Sequence, residues 1–226
     1  MTSPLDNPVW NALSSKLKHF NQGNDLLKYF PPEVSPFIAM KDWNEEDIQH
    51  LITFIPENRS FSVLLHKEIS LPGSFEMIFR LPLYQMHSTN FKPYYNPDIT
   101  LRPLTTTDVP QMLSLTELTK PGPFYQQTIE FGNYYGIFYE DELVAMAGER
   151  LQMDGYTEIS AICTKPGHQG KGYAAHLFSQ AAERILQNGC IPFLHVRTDN
   201  LRAIELYKRS GFEIRTDIHF AVFKKR

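Results

Sequence analysis

The stretch C-T-K-P-G-H-Q-G-K-G-Y-A-A-H, Cys163 to His176, decides the fold. An apolar run ends at Pro166, a short turn follows, and a helical pattern opens on Gly170, Gly172 and Ala174. The apolar period then lengthens from two to about 3.6, with Leu177, Phe178, Ala181 and Ile185 on one side and Gln180, Glu183 and Gln187 on the other. Strand, glycine turn and helix together outline an anion site. Small residues let a ligand approach the backbone, and the unpaired N–H groups of a first helical turn, aided by the helix dipole, point at negative oxygen. Lys171 adds a positive charge beside them.

Several chemistries use such a loop. A Walker loop requires G-x-x-x-x-G-K-[ST], and here Gly172 follows Lys171, leaving no hydroxyl for magnesium. Gly170, Gly172 and Ala175 fit the dinucleotide pattern G-x-G-x-x-A, with Asp199 ending the next strand. The chain stops at Arg226, however, too soon for the remaining units of a doubly wound sheet, and the strands before the loop read as an antiparallel meander. Glycines chosen only for packing would leave the following motif unexplained.

That motif is L-H-V-R-T-D-N-L-R-A-I-E-L-Y-K-R-S-G-F, Leu194 to Phe212. With Gln169, Gly172 and Ala174 in the fixed positions of Q/R-x-x-G-x-G/A, and Asn200, Ala203, Tyr207, Gly211 and Phe212 following about 30 residues later, residues 98–226 resemble the GNAT acyltransferase superfamily. The resemblance implies an α/β (α+β) fold: a mixed, mostly antiparallel central sheet flanked by helices, here preceded by a smaller α+β domain. It implies acetyl-CoA as cosubstrate, no metal, and direct transfer of an acetyl group to a primary amine of a small molecule, amino acid or peptide. A catalytically weak acyl-CoA sensor is the alternative.

Site residues carry over by position. The diphosphate is expected on Gln169, Gly170, Lys171, Gly172, Tyr173 and Ala174, and the pantetheine arm along Ile162, Cys163 and Thr164, where that strand splays from Ile191–Val196. Asn200 and Ala203 belong to the same cofactor face. Tyr207 is the implied general acid for the leaving thiolate, and a backbone N–H near Ile162 the implied oxyanion donor. Glu158 is favoured as the base, because strict alternation sets it on one face with Ser160 and Ile162; Glu149 is its rival. Phe124, Tyr125, Tyr134 and Tyr135 are candidates for an acceptor wall or for core. His168 and Cys163 adjoin the cofactor path, but no His/Asp pair makes either a nucleophile, and neither H-E-x-x-H nor C-x-x-C occurs.

Outward from this centre the order reads β-α-α-β-β-β-α-β-α-β-β, beginning with a strand Asp98–Leu104 and a helix Thr107–Leu118. It closes with two strands, Phe212–Ile214 and Ile218–Phe223. Ser88–Pro97, rich in proline, asparagine and tyrosine, is the natural joint, giving units 1–97 and 98–226. The first unit holds two of the 12 glycines, amphipathic helices at Pro8–His19 and Glu45–Phe54, and strands around Ser60–His66 and Phe75–Met86, the second an edge or broken strand because of Pro82. A degenerate GNAT copy is one reading of it, by analogy alone.

The 226 residues are 42% apolar and 13% aromatic, sufficient for a sizeable core, and a net charge of −3 offers no broad basic field for nucleic acid or an anionic membrane. Two cysteines, both in apolar runs, suit reduced buried thiols. No leader pattern or run of about 18 apolar residues occurs, so the expected setting is the cytoplasm, away from membranes, with a homodimer left open.

Overall fold

The computed structural model describes residues 3–226. The N-terminal part comprises α1 (Pro8–Ser14), β1 (Leu27–Tyr29), β2 (Ile38–Met40), α2 (Glu45–Phe54), β3 (Ser60–Leu65) and β4 (Phe75–His87). The remainder comprises β5 (Arg102–Pro103), α3 (Val109–Thr119), β6 (Tyr134–Tyr139), β7 (Glu142–Met153), β8 (Tyr156–Thr164), α4 (Tyr173–Gln187), β9 (Ile191–Arg197), α5 (Leu201–Arg209) and β10 (Glu213–Lys225). Short 3₁₀ turns replace parts of the expected helices, including Lys18–Phe20 after α1 and Thr128–Phe131.

Eight strands form one sheet in the order β3-β10-β4-β9-β8-β7-β6-β5, mixed α/β in class, with β1 and β2 a separate pair. Every neighbouring pair is antiparallel except β8 and β9. Helices α4 and α5 cover one face through Phe178, Ile185, Ile204 and Tyr207, packed on Ile159, Leu194 and Val196. On the other face α1 packs on Leu151, Met153 and Phe193, and α3 on Leu143, Met146, Ala161 and Cys163. Each fully buried leucine, isoleucine or phenylalanine here stabilises the fold by about 1.5–3 kcal/mol relative to exposure.

Three expectations are corrected by this topology. Pro82 does not put β4 at an edge: the strand lies between β10 and β9. Its carbonyl accepts from Thr198 N at 3.2 Å, and β9 pairing begins only at Leu83, so the missing N–H faces the place where the neighbouring strand has ended. The two closing strands are one, because Arg-Thr-Asp at 215–217 offers no tight turn. Arg215 is instead the extra residue of a bulge between Ile214 and Thr216. The strand expected over Asp98–Leu104 shrinks to Arg102–Pro103, since Asn96–Ile99 forms a turn.

The boundary near residue 97 does not divide the hydrogen-bonded sheet, because β3 and β4 flank β10. The joint itself is pinned to α4 and α5. Tyr94 N donates to Ser179 Oγ at 2.8 Å, Asn96 N to His176 Nδ1 at 3.0 Å, and Lys92 N to Ser210 O at 2.9 Å. Phe91 packs its ring 6.1 Å from Phe178 and 6.3 Å from Phe212.

Candidate active site

Strand β8 pairs with β9 only from Tyr156↔Ile191 to Glu158↔Phe193. Beyond that the two diverge, leaving the main chain of Ile159–Thr164 without a β9 partner on that side. The helix α4 starts beside this opening. Gly172, at φ +81°, is its N-cap, and the first helical bond is donated by His176 to Gly172 O at 3.1 Å. The amides of Tyr173, Ala174 and Ala175 therefore precede the helical ladder and are free to meet an anion.

A groove of about 580 Å³ runs along the loop and the split. Ile162, Cys163 and Thr164 line it from β8. Gln169, Gly170, Gly172, Tyr173 and Ala174 line it from the loop and α4, and Asn200, Ala203 and Tyr207 from α5. Asn200 caps α5 by accepting from Ala203 N at 3.2 Å. Lys171 is the exception among the residues assigned to the cofactor. Its ammonium stands over the rings of Tyr139 and Tyr173, at 5.7 and 6.0 Å, outside the groove lining.

Sequence reasoning missed Arg202 and Arg209, which join the lining from α5. Their spacing from Ala203 and Leu206 along one helical stripe was a usable signal. It also missed Tyr94: a Cβ on Gly172 would stand 2.8 Å from the Tyr94 hydroxyl, so the loop glycine answers both to its positive φ and to the joint packed against it.

The split opens on its other side into a cavity of about 450 Å³, bounded by Leu118–Pro121 at the end of α3 and by Arg150, Ser160, His195 and Arg197. Tyr207 lines both spaces. Only 6% exposed, its phenol is pushed above the ordinary value by burial, which keeps it protonated and able to donate.

Glu158 is not placed as the alternation argument required. A bulge falls between Ser160 and Cys163, with Ala161 at φ +53°. The extra residue resets the parity, so Ile159 and Ile162 both pack toward α4 and α5, while Glu158 lies on the opposite face. There Glu158 is fully buried. Arg150 Nε donates to its Oε2 at 2.8 Å and Arg150 Nη2 to its Oε1 at 2.6 Å. His195 Nδ1 lies 2.7 Å from the same Oε1. Burial alone would raise this carboxyl, but the charge and hydrogen bonds of Arg150, with His195 behind them, hold it at about 2. A carboxylate so sealed and so acidic is a poor base.

His195 is equally committed. Its Nε2 lies 3.1 Å from Gln85 Nε2, an amide donor whose oxygen accepts from Arg215 Nη1 at 2.8 Å. The imidazole proton therefore sits on Nδ1, toward Glu158. Arg215 also binds Asp6. A polar chain, fully buried at Gln85 and Glu158, thus runs from the N-terminal segment through β10, β4, β9 and β8 to Arg150 on β7.

The rival, Glu149, is 4% exposed and accepts from Asn133 N and Nδ2 at 3.2 and 3.0 Å, away from both spaces. Tyr134 is core, edge-on to Phe124 at 5.8 Å, and Tyr135 accepts from Arg184 Nη1 at 3.2 Å; none of the four aromatics lines the 450 Å³ cavity. Both cysteines are free, and burial raises Cys163 to about 11, so it is a thiol and not a nucleophile. Among the described residues no group of His, Cys, Asp and Glu could hold a metal ion, and no helix is long and apolar enough to cross a membrane.

The sequence and the fold both have counterparts among known proteins. A family model described as FR47-like protein matches residues 134–221. The uncharacterized N-acetyltransferase YobR of Bacillus subtilis is 31% identical over 85 residues, 37% of this chain and 34% of that protein. A mycothiol acetyltransferase of Brachybacterium faecium is 36% identical over 89 residues, 33% of this chain and 27% of that protein. The chain thus spans about a third of the length of these curated relatives. A solved structure from Novosphingobium aromaticivorans, assigned to the GNAT family of acetyltransferases, is 29% identical, covers 100% of both chains and superposes with a TM-score of 0.92. The C-terminal half of this chain therefore carries a GNAT domain.

Proposed function

We propose that the chain is an acyl-CoA-dependent N-acetyltransferase that passes an acetyl group directly from the thioester to a primary amine. One observation carries this reading: the free amides at the start of α4 and the split between β8 and β9 form one continuous groove, with a buried tyrosine hydroxyl at the point where it meets a second cavity. Acetyl-CoA supplies the activated acyl group. The amides of the loop and of the first turn of α4 grip its diphosphate, and the β8 main chain at Ile162–Thr164 pairs with its extended arm as an added strand would.

The bulge at Ala161 leaves an amide out of the β7 ladder beside Ile162, and this N–H receives the developing oxyanion. Tyr207 gives its proton to the departing sulfur. A thiol with a pKa near 8.5 leaves without strong assistance, so the hydroxyl contributes a factor of about 10² or less. The acceptor enters from the cavity beside Leu118–Pro121 and loses its proton to water, since the lining residues include no carboxylate. The N-terminal half acts as scaffold for that side and binds no cofactor.

A sensor that binds acyl-CoA without turnover is disfavoured by the position of Tyr207 at the junction. Thermal shift with acetyl-CoA and with NAD, followed by thiol release against an amine panel, tests the reading. A ligand at 100 times its Kd adds about 2.7 kcal/mol of stability. Stabilisation by NAD but not acetyl-CoA removes the proposal; CoA binding without thiol release from any amine transfers it to the sensor.

A further inference from the structure

Three cations and no carboxylate line the 450 Å³ cavity: Lys120, Arg150 and Arg197. Arg197 shares its charge with Asp199, both well exposed, a pairing of little strength in water. Lys120 caps α3 in the left-handed region at φ +48°, is exposed, and has no ion-pair partner among the described residues.

Arg150 is the built element. Glu158 takes its Nε and Nη2, and the guanidinium carbon lies 4.9 Å from the Phe37 ring, so plane and tilt are both fixed. Its Nη1 has no hydrogen-bond partner among the described residues, and a Cβ built on Gly122 would stand 4.0 Å from it. The side chain is 11% exposed. A guanidinium held by two of its three nitrogens, with the third unpaired on a side chain that lines a cavity with two further cations, is preorganised to receive planar oxyanions. This also gives Glu158 a role: it aims Arg150.

We infer that the acceptor carries a carboxylate near its amine, as an amino acid or a small amino-acid-like compound does, and that Arg150 receives this carboxylate with Lys120 and Arg197 at the rim. The inference rests on the acyltransferase reading of the cavity and narrows it, setting aside polyamines and lysine-rich peptides. The volume is ample for a small-molecule acceptor.

The test uses the full chain saturated with CoA. Calorimetry compares amine acids with their carboxamides, methyl esters and phosphonate counterparts, so that no turnover is needed. The expected result is that acids bind at least about tenfold more tightly than the matched amides, with the same ratio in kcat/KM arising from KM and narrowing at high salt. Lys120→Ala and Arg197→Ala should each shrink that ratio about two- to fivefold. Arg150→Ala alone strands a buried Glu158, so the paired variant Arg150→Met with Glu158→Gln removes both charges at similar volume. It should keep CoA binding and lose the preference for acids.

Equal or tighter binding of the amides, or an unchanged preference in the paired variant, overturns the inference; so does binding of phosphonates with rejection of carboxylates. Failure of CoA itself to bind is a different result, which removes the acyltransferase reading first.

Discussion

On one side of the β8–β9 split the protein offers main chain: a glycine turn and the first amides of α4, consecutive in sequence. On the other it offers side chains gathered from β7, β9 and the loop after α3, held by a buried carboxylate. The first surface is local, and its grip survives most side-chain changes. The second is assembled from distant positions, and one substitution can dismantle it. The difference predicts where the molecule is fragile.

The largest effect is expected at Glu158. Replacing it by alanine leaves Arg150 buried without its partner, and losses of this kind run to about 3–5 kcal/mol. Chemical denaturation should show that drop. Glu158→Gln, which keeps shape and one acceptor, should fall less and retain the wild-type pH–rate profile wherever it stays folded. Loss of the acidic limb of the pH–rate profile in a folded Glu158→Gln protein would instead make this residue the base. The linkage has a definite sign. The folded carboxyl titrates at about 2, below the ordinary 4.5, so its contribution is complete above pH 4.5 and disappears as pH falls toward 2. Stability measured across that window should slope less steeply in Glu158→Gln.

This contrast also separates what could be read from the sequence from what could not. Gln169, Gly172 and Ala174 define the loop within a few residues, and Asn200 caps its helix by a bond to Ala203. Such features are local, so the sequence contains them whole. Glu158 depends on His195, 37 positions away, and Arg215 on Gln85, 130 positions away. No local pattern encodes those pairings. The bulge is a sharper case. Alanine at 161 gives no hint of φ +53°, yet this one residue reverses which side of the sheet Glu158 serves. Nor does any motif announce that β4 inserts between β9 and β10; an apolar strand with a proline read as an edge because its neighbour's end was invisible.

Tyr207→Phe comes next in size and tests the junction of the two sides. The ring packs 4.9 Å from Phe178, and removing only the hydroxyl preserves that contact. Turnover should fall by about 10²-fold or less, with CoA affinity unchanged. A fall in affinity with kcat intact would reassign the residue to binding.

Gly172→Ala probes the main-chain side. The new methyl meets the Tyr94 hydroxyl at 2.8 Å and a backbone at φ +81°. Strain of about 1–2 kcal/mol follows, and CoA should bind roughly tenfold more weakly. Tyr94→Ala in the same protein relieves the contact but not the dihedral, so rescue should be partial. Complete rescue would show that the joint alone demands the glycine.

The smallest effect is expected at Arg202, on the same groove but acting through an exposed side chain. Surface charges of this kind contribute about 0.2–1 kcal/mol, so Arg202→Ala should weaken CoA binding about two- to fivefold at low salt. At 1 M salt, where the screening length is about 3 Å, the variant and the parent should converge. The Gly172→Ala defect, which lies in backbone geometry, should persist at both salt concentrations. If the two defects respond to salt alike, the groove does not divide into a main-chain grip and a side-chain rim.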